Sequence, residues 1–158
     1  CNLVVGNVYE ALHNFISILN IDKYNLKAQI QLAMCHEFSN EYEMALMIYE
    51  KIIEEEPLCT EAYENKAALL MTLGQYADAA RVYSQLIKMD LEYYRAYFGI
   101  ATCFDKLNKL SAAARYYKKF MGLKPNANNK KLVEIRLKEI AQTLRNKRCK
   151  YKKHLNIV

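Results

Sequence analysis

The sequence predicts an all-α fold, a right-handed α-solenoid of about three and a half helical hairpins closed by a C-terminal capping helix. Three observations predict it. The chain matches itself when shifted by 34 residues, and each 34-residue unit holds two runs with apolar residues at helical spacing. Asn or Gly separates the two runs, and Pro or Leu follows the second. A fixed period with helical spacing inside it is the mark of stacked supersecondary units, each too small to bury its own apolar faces.

The register needs no insertion. Ala33, Ala67 and Ala101 share one column, and Ala11, Ala45, Ala79 and Ala113 another. Phe15, Tyr49, Tyr83 and Tyr117 form an aromatic column; Ile18, Ile52, Leu86 and Phe120 form an apolar one. Alanine at a helix crossing lets two backbones approach closely, and the aromatic column fills the space one turn further on.

In chain order, residues 8–25 read as a partial unit, a lone second helix over about 8–22. Full units follow at 26–59, 60–93 and 94–127. In the second of these, Tyr63, Ala67 and Leu70 make the first stripe, and Tyr76, Ala79, Ala80, Tyr83, Leu86 and Ile87 the second. Between them Gly74 tolerates the positive φ that ends a helix, and Asn40 and Asn108 hold the same column in the neighbouring units. Pro57 and Pro125 stop second helices, while Leu91 in that column leaves a softer boundary. The run Asn126-Ala127-Asn128-Asn129 is a turn signal. Val133, Leu137, Ile140, Ala141 and Leu144 then predict an amphipathic capping helix over 128–150, ahead of a basic tail at 151–158. The opening does not begin with Met and falls partway through a repeat, so the chain is read as a piece of a longer protein.

Composition narrows the function. A 53% hydrophobic content is too high for a disordered chain, and no apolar run approaches the roughly 20 residues that cross a bilayer. Cys1, Cys35, Cys59, Cys103 and Cys149 are odd in number and widely spaced, which speaks against a disulfide framework or zinc knuckle and for free thiols in the cytoplasm or another reducing intracellular compartment. No glycine-rich phosphate loop, metalloprotease signature or serine nucleophile elbow occurs, and no cofactor or metal is implied. His36, beside Cys35 and Glu37, falls in the core column of Leu70 and Phe104, and adjacent helical residues do not face each other. Glu54-Glu55-Glu56 reads as a solvated helix end. The expectation is a chain that binds and does not catalyse.

The columns resemble the tetratricopeptide repeat, whose pattern runs Trp-x2-Leu-Gly-x2-Tyr, then Ala-x3-Phe, then Pro. Tyr63, Ala67, Ala79, Tyr83 and their equivalents carry the match over roughly residues 8–127. The chain departs from it in having no Trp, in Lys66 at an apolar column and in His36 at an aromatic one. The resemblance implies that the first helices line a concave groove that serves as a protein-interaction scaffold or adaptor. Its candidate contacts are then Lys27, Ile30, Gln31, Met34, Glu37 and Phe38, followed by Glu61, Glu64, Asn65, Ala68, Met71 and Thr72, and finally Arg95, Phe98, Gly99, Thr102, Asp105 and Lys106. Ile30, Met34, Phe38, Met71 and Phe98 would form an apolar strip fit for a peptide or helix of a partner. Some chaperone-binding members hold a C-terminal carboxylate in a clamp of Lys, Asn and Arg. Only Asn65 and Arg95 match that clamp, which speaks against carboxylate capture.

Two other readings stand beside the groove. Residues 1–127 hold 13 Lys+Arg against 15 Asp+Glu, and residues 128–158 hold 10 against 2, so the excess positive charge is terminal. Arg145, Lys147, Arg148, Lys150, Lys152 and Lys153 could meet phosphates of a nucleic acid or an anionic membrane. The lone first helix, through Val8, Ala11, Leu12, Phe15 and Leu19 within residues 8–19, could pair two copies of the chain as a homodimer.

Overall fold

The 34-residue period becomes a period of helix starts. In a computed structural model, which describes residues 2–124 and 128–155 with side chains over 7–124 and 128–149, the helices are α1 (Asn2–Ile21), α2 (Leu26–Phe38), α3 (Tyr42–Glu55), α4 (Thr60–Thr72), α5 (Tyr76–Met89), α6 (Tyr94–Lys106), α7 (Leu110–Leu123) and α8 (Lys130–Leu155). The described residues contain helices and turns only. α2, α4 and α6 start one period apart, as do α3, α5 and α7.

Backbone chemistry explains where each hairpin folds back. Asn40, Gly74 and Asn108 have φ of 61°, 75° and 56°, the left-handed region that terminates a helix. After α2 and α6 the chain closes with Glu41 N–H donating to His36 O and Lys109 N–H to Phe104 O, both at 2.8 Å. These bonds satisfy carbonyls that a helix end leaves unpaired. At its start α2 is capped by Asn25, whose Oδ1 accepts from Ala28 N–H at 3.0 Å.

The column that is Trp in the resembled pattern solves its polarity in a repeated way. Gln29 is buried and its Nε2 donates to Lys23 O at 2.8 Å. Tyr97, in the same column, sends its hydroxyl to Leu91 O at 3.0 Å, also six residues back. Each ties the start of its helix to the preceding loop and keeps a buried polar tip bonded. Lys66, in an apolar column, extends its Nζ to Glu50 Oε1 at 2.9 Å.

The chain divides into two compact units at Gly74 and Gln75. In the first, α2, α3 and α4 pack in succession, with Ile30, Ala33, Ala45, Tyr49, Ile52, Ala62 and Leu69 as its core. In the second, α5, α6, α7 and α8 pack in succession around Tyr97, Ala101, Ala113, Tyr117, Phe120, Val133 and Ile140. The alanine columns are fully buried within the units: Ala33, Ala45, Ala67, Ala79, Ala101 and Ala113.

Both terminal helices differ from expectation. α1 begins at Asn2, six residues before the expected start, and runs through Gly6. α1 packs on α2, and Val8, Ala11, Leu12, Phe15 and Leu19 are partly buried. The apolar residues it exposes are Tyr9, Ile16, Ile18 and Ile21. α8 continues to Leu155, through the segment expected as a tail, since no Gly or Pro interrupts it. Of its stripe, Val133 and Ile140 are buried, Leu137 and Leu144 partly so, and Ala141 is exposed. Cys1 and residues 125–127, with the Pro125 stop, lie outside the described residues.

Candidate partner-binding clefts

Each unit places its expected contact residues differently. In unit 1, the first turns of α2 and α4 carry Lys27 and Glu61 exposed, and the later turns build a cleft of about 280 Å³. Met34, Glu37 and Phe38 of α2, Tyr42 of α3, and Asn65, Ala68, Leu69 and Thr72 of α4 line it. Phe38 is 72% exposed and Ala68 is exposed; Gln31, Met34, Glu64, Asn65 and Met71 are half-buried. Gln31 Nε2 lies 3.6 Å from Met34 Sδ.

Ile30 corrects the expected apolar strip. It is 2% exposed and sits in the unit 1 core, in one cluster with Ala45, Tyr49 and Ile52 of α3 and Ala62 and Leu69 of α4. Gly99 is likewise buried, its α carbon facing the Tyr83 ring of α5.

Glu37 gives the cleft its charge. Tyr49 of α3 donates its hydroxyl to Glu37 Oε1 at 2.6 Å, which orients the carboxylate. Burial first, and then the bond to Glu37, push the Tyr49 phenol far above its ordinary range, so it stays a donor at any physiological pH. His36, expected as a packed core residue, is mostly buried yet also pairs through Nδ1 with Glu41 Oε2.

In unit 2 the corresponding face is already occupied. A cleft of about 240 Å³ lies among Phe98, Thr102, Asp105, Lys106, Tyr117, Leu132, Val133 and Arg136. Arg136 of α8 donates Nε to Asp105 Oδ2 and Nη2 to Asp105 Oδ1, each at 2.7 Å, and Nη1 to Glu139 Oε2 at 2.7 Å. These bonds raise the Arg136 pKa beyond its ordinary value, and the guanidinium is a permanent cation. The Tyr117 hydroxyl donates to Asp105 Oδ2 at 3.4 Å. Phe98, expected as a groove contact, instead packs its ring 5.2 Å from Phe120 and 6.1 Å from Tyr117. Thr102 turns its hydroxyl back to Phe98 O at 3.0 Å, and Arg95 and Lys106 are exposed. Sequence reasoning missed Arg136, which flanks α8's apolar stripe one turn from Val133 and Ile140 and in sequence looks like any solvated cation.

Arg145, Lys147 and Arg148 are exposed on α8, whereas the side chains of Lys150, Lys152 and Lys153 lie outside the described residues. Among the described residues no group of three His, Cys, Asp or Glu is placed to hold a metal, and no helix is long and apolar enough to cross a membrane.

The repeat has recognisable relatives. Sequence profiles described as tetratricopeptide repeat match residues 26–57 and 64–128. The chain belongs to the tetratricopeptide repeat family. Its fold is shared with MamA (residues 41 to the end) from Desulfovibrio magneticus RS-1, at 18% identity and TM-score 0.69 over 91% of this chain and 89% of that one. It is shared with the type III secretion translocator chaperone SycD of Yersinia enterocolitica, at 23% identity and TM-score 0.70 over 82% and 93%. A third likeness is to the first such domain of Spaghetti (RPAP3) bound to the HSP90 peptide SRMEEVD, at 21% identity and TM-score 0.67 over 78% and 95%. At these identities the likeness is one of fold.

Proposed function

We propose that the chain is a protein-interaction scaffold or adaptor that receives a peptide or helix of a partner protein and carries out no catalysis of its own. One observation carries this reading. The unit 1 cleft keeps Phe38 72% exposed beside Met34, Ala68 and a tyrosine-oriented carboxylate, an open apolar surface with a polar orienting group. The surface stands ready on packed helices, so binding requires little ordering. Two of the fold relatives support the reading by what their names state: one is a secretion chaperone, and another holds an HSP90 peptide.

The test is affinity capture with the chain and a Phe38→Glu variant as baits. Phe38 is exposed, so the variant keeps the fold, which circular dichroism verifies. A protein retained by the first bait and lost by the second supports the reading. Identical material on both baits overturns it. Phe98 is unsuitable as a probe, because its ring is part of the unit 2 core.

A second reading has its own observation. Residues 75–158 carry 19 Lys+Arg against 6 Asp+Glu, a net of +13, and Arg145, Lys147 and Arg148 stand exposed just after Leu144, which packs against the unit 2 core. Contact with RNA phosphates through this helix end predicts binding that weakens steeply with salt. A flat salt response in filter binding removes it. Self-association is a third arrangement within the same reading of the chain as a binding module, now through the exposed Tyr9, Ile16 and Ile21 of α1. Sedimentation across a concentration series tests it, and a monomer throughout excludes it.

A further inference from the structure

One face of unit 2 carries charge of a single sign. From Lys106 to Val133 the sequence holds eight Lys+Arg and no Asp or Glu. Within α7 the exposed residues are Ser111, Arg115, Lys118, Lys119 and Gly122, which recur at intervals of three and four along one side of the helix.

Aromatic rings hold several of these cations in place. Tyr116 of α7 packs its ring 5.5 Å from Phe104 and 6.3 Å from Tyr97, both of α6. A cation lies over each ring of this run. Lys109 Nζ is 5.8 Å from the Phe104 centroid, the Arg115 guanidinium 5.4 Å from that of Tyr116, and Lys119 Nζ 5.9 Å from that of Tyr97. Lys124, just past the α7 C-terminus, adds a fourth at 5.3 Å from the Tyr94 centroid. Among the described residues, four of the five such contacts thus fall within residues 109–124. Attraction to a ring face restrains a long cationic side chain without neutralising it. None of the four pairs with a carboxylate among the described residues, and three of the six acids of residues 75–158, Asp78, Asp105 and Glu139, are bound to arginines.

A row of restrained cations selects a polyanion, and the rest of the face says which. A helix that lies on a membrane exposes apolar residues between its cations, and α7 exposes none. An acidic protein segment needs the cations alone. Here a guanidinium plane and the half-buried rings of Phe104 and Tyr116 stand among them, and such surfaces stack unpaired bases.

We propose that the exposed face of α7 binds a single-stranded nucleic acid, with Lys109, Lys119 and Lys124 on phosphates and Arg115 and Tyr116 against base faces. Neither base edges nor the sugar are read. The site is separate from the α8 end considered above, and each can fail without the other.

The probe is a short fluorescent single strand of mixed sequence, made as RNA and as DNA, added to the intact chain and followed by anisotropy. Saturable binding of both is expected. Lys119→Gln should lower the slope of log affinity against log salt by about 0.7, the share of one phosphate contact. Arg115→Lys keeps the charge and removes the plane, so it should weaken binding roughly fivefold at an unchanged slope. Both side chains are exposed, and circular dichroism verifies the fold of each variant. Binding that ignores both variants and disappears in Arg145→Gln/Lys147→Gln/Arg148→Gln overturns the proposal and leaves the α8 reading standing. No binding of either strand overturns both. Equal competition by a duplex of the same sequence removes the role of rings and guanidinium, and overturns the single-strand assignment. Equal displacement by polyglutamate at matched charge assigns the face to an acidic protein segment instead, and a strong preference for one sugar overturns recognition through phosphates and base faces alone.

Discussion

Arg136 and Asp105 lie 31 residues apart and meet in a planar fork, Nε and Nη2 each 2.7 Å from a separate carboxylate oxygen. The bond anchors α8 on the face of α6. Asp105 is largely buried, so losing the arginine strands a carboxylate that water reaches poorly. Arg136→Ala and Asp105→Asn should each lower stability by about 1–2 kcal/mol, with a coupling energy near 1 kcal/mol in the double variant. Urea unfolding of the full cycle measures it; additive losses would mean that the pair contributes nothing jointly.

Gly99 faces the ring of Tyr83 so closely that a Cβ built on it would clash with the ring edge. Tyr83 is buried and its ring has nowhere to turn within a close-packed unit. Gly99→Ala should therefore destabilise by about 1–3 kcal/mol through overpacking, lowering the urea midpoint with the slope unchanged. A midpoint equal to that of the parent would show that α5 and α6 can separate freely.

The left-handed residues Asn40 and Asn108 carry a steric strain that only glycine avoids. Replacing either by Ala should cost about 1 kcal/mol, and replacing either by Gly should be neutral or slightly stabilising. Thermal unfolding of the four variants distinguishes them. Equal melting for the Ala and Gly forms would contradict the φ assignment.

Alkaline pH should unfold the chain by a defined route. Burial pushes the Cys103 thiol up to about 11 from an ordinary 9.0, and raises Cys35 in the same direction. A raised acid stays protonated in the folded chain while the unfolded chain ionises, so the stabilisation is complete below pH 9 and is lost as pH climbs from about 9 to 11. Cys103 alone contributes a slope of up to about 1.4 kcal/mol per pH unit in that window, and Cys103→Ala should flatten it. Buried Tyr49 and Tyr117 steepen the fall above pH 10. The same burial orders thiol reactivity at neutral pH: exposed Cys149 reacts with a disulfide reagent first, and Cys103 only on unfolding. Fast labelling of Cys103 in the folded chain would refute both expectations.

The candidate site was only partly legible in the sequence. Met34, Phe38, Asn65 and Ala68 were expected on the receiving face and line an open cleft there. Ile30 and Phe98 have the same helical phase and were expected beside them, but Ile30 is core and Phe98 is packed in the second unit. Helical phase states which way a side chain points and is silent on whether another helix waits in that direction. Ile30 is taken into a core shared with α3 and α4, and α7 and α8 wait for Phe98.

What the sequence determined by itself is what repeats locally. The period sets the helix starts, alanine and tyrosine columns set the packing, and Asn40, Gly74 and Asn108 set the turns. These follow from spacing and backbone sterics within about one turn of each residue, so one sequence suffices to read them. The tertiary structure decided which of two equivalent acids is satisfied. Glu37 and Asp105 stand in the same column and each holds a tyrosine hydroxyl, yet only Asp105 has an arginine from a distant helix. A charge pair across 31 residues depends on where α8 comes to rest, and the packing of Val133 and Ile140 into the second unit places it there.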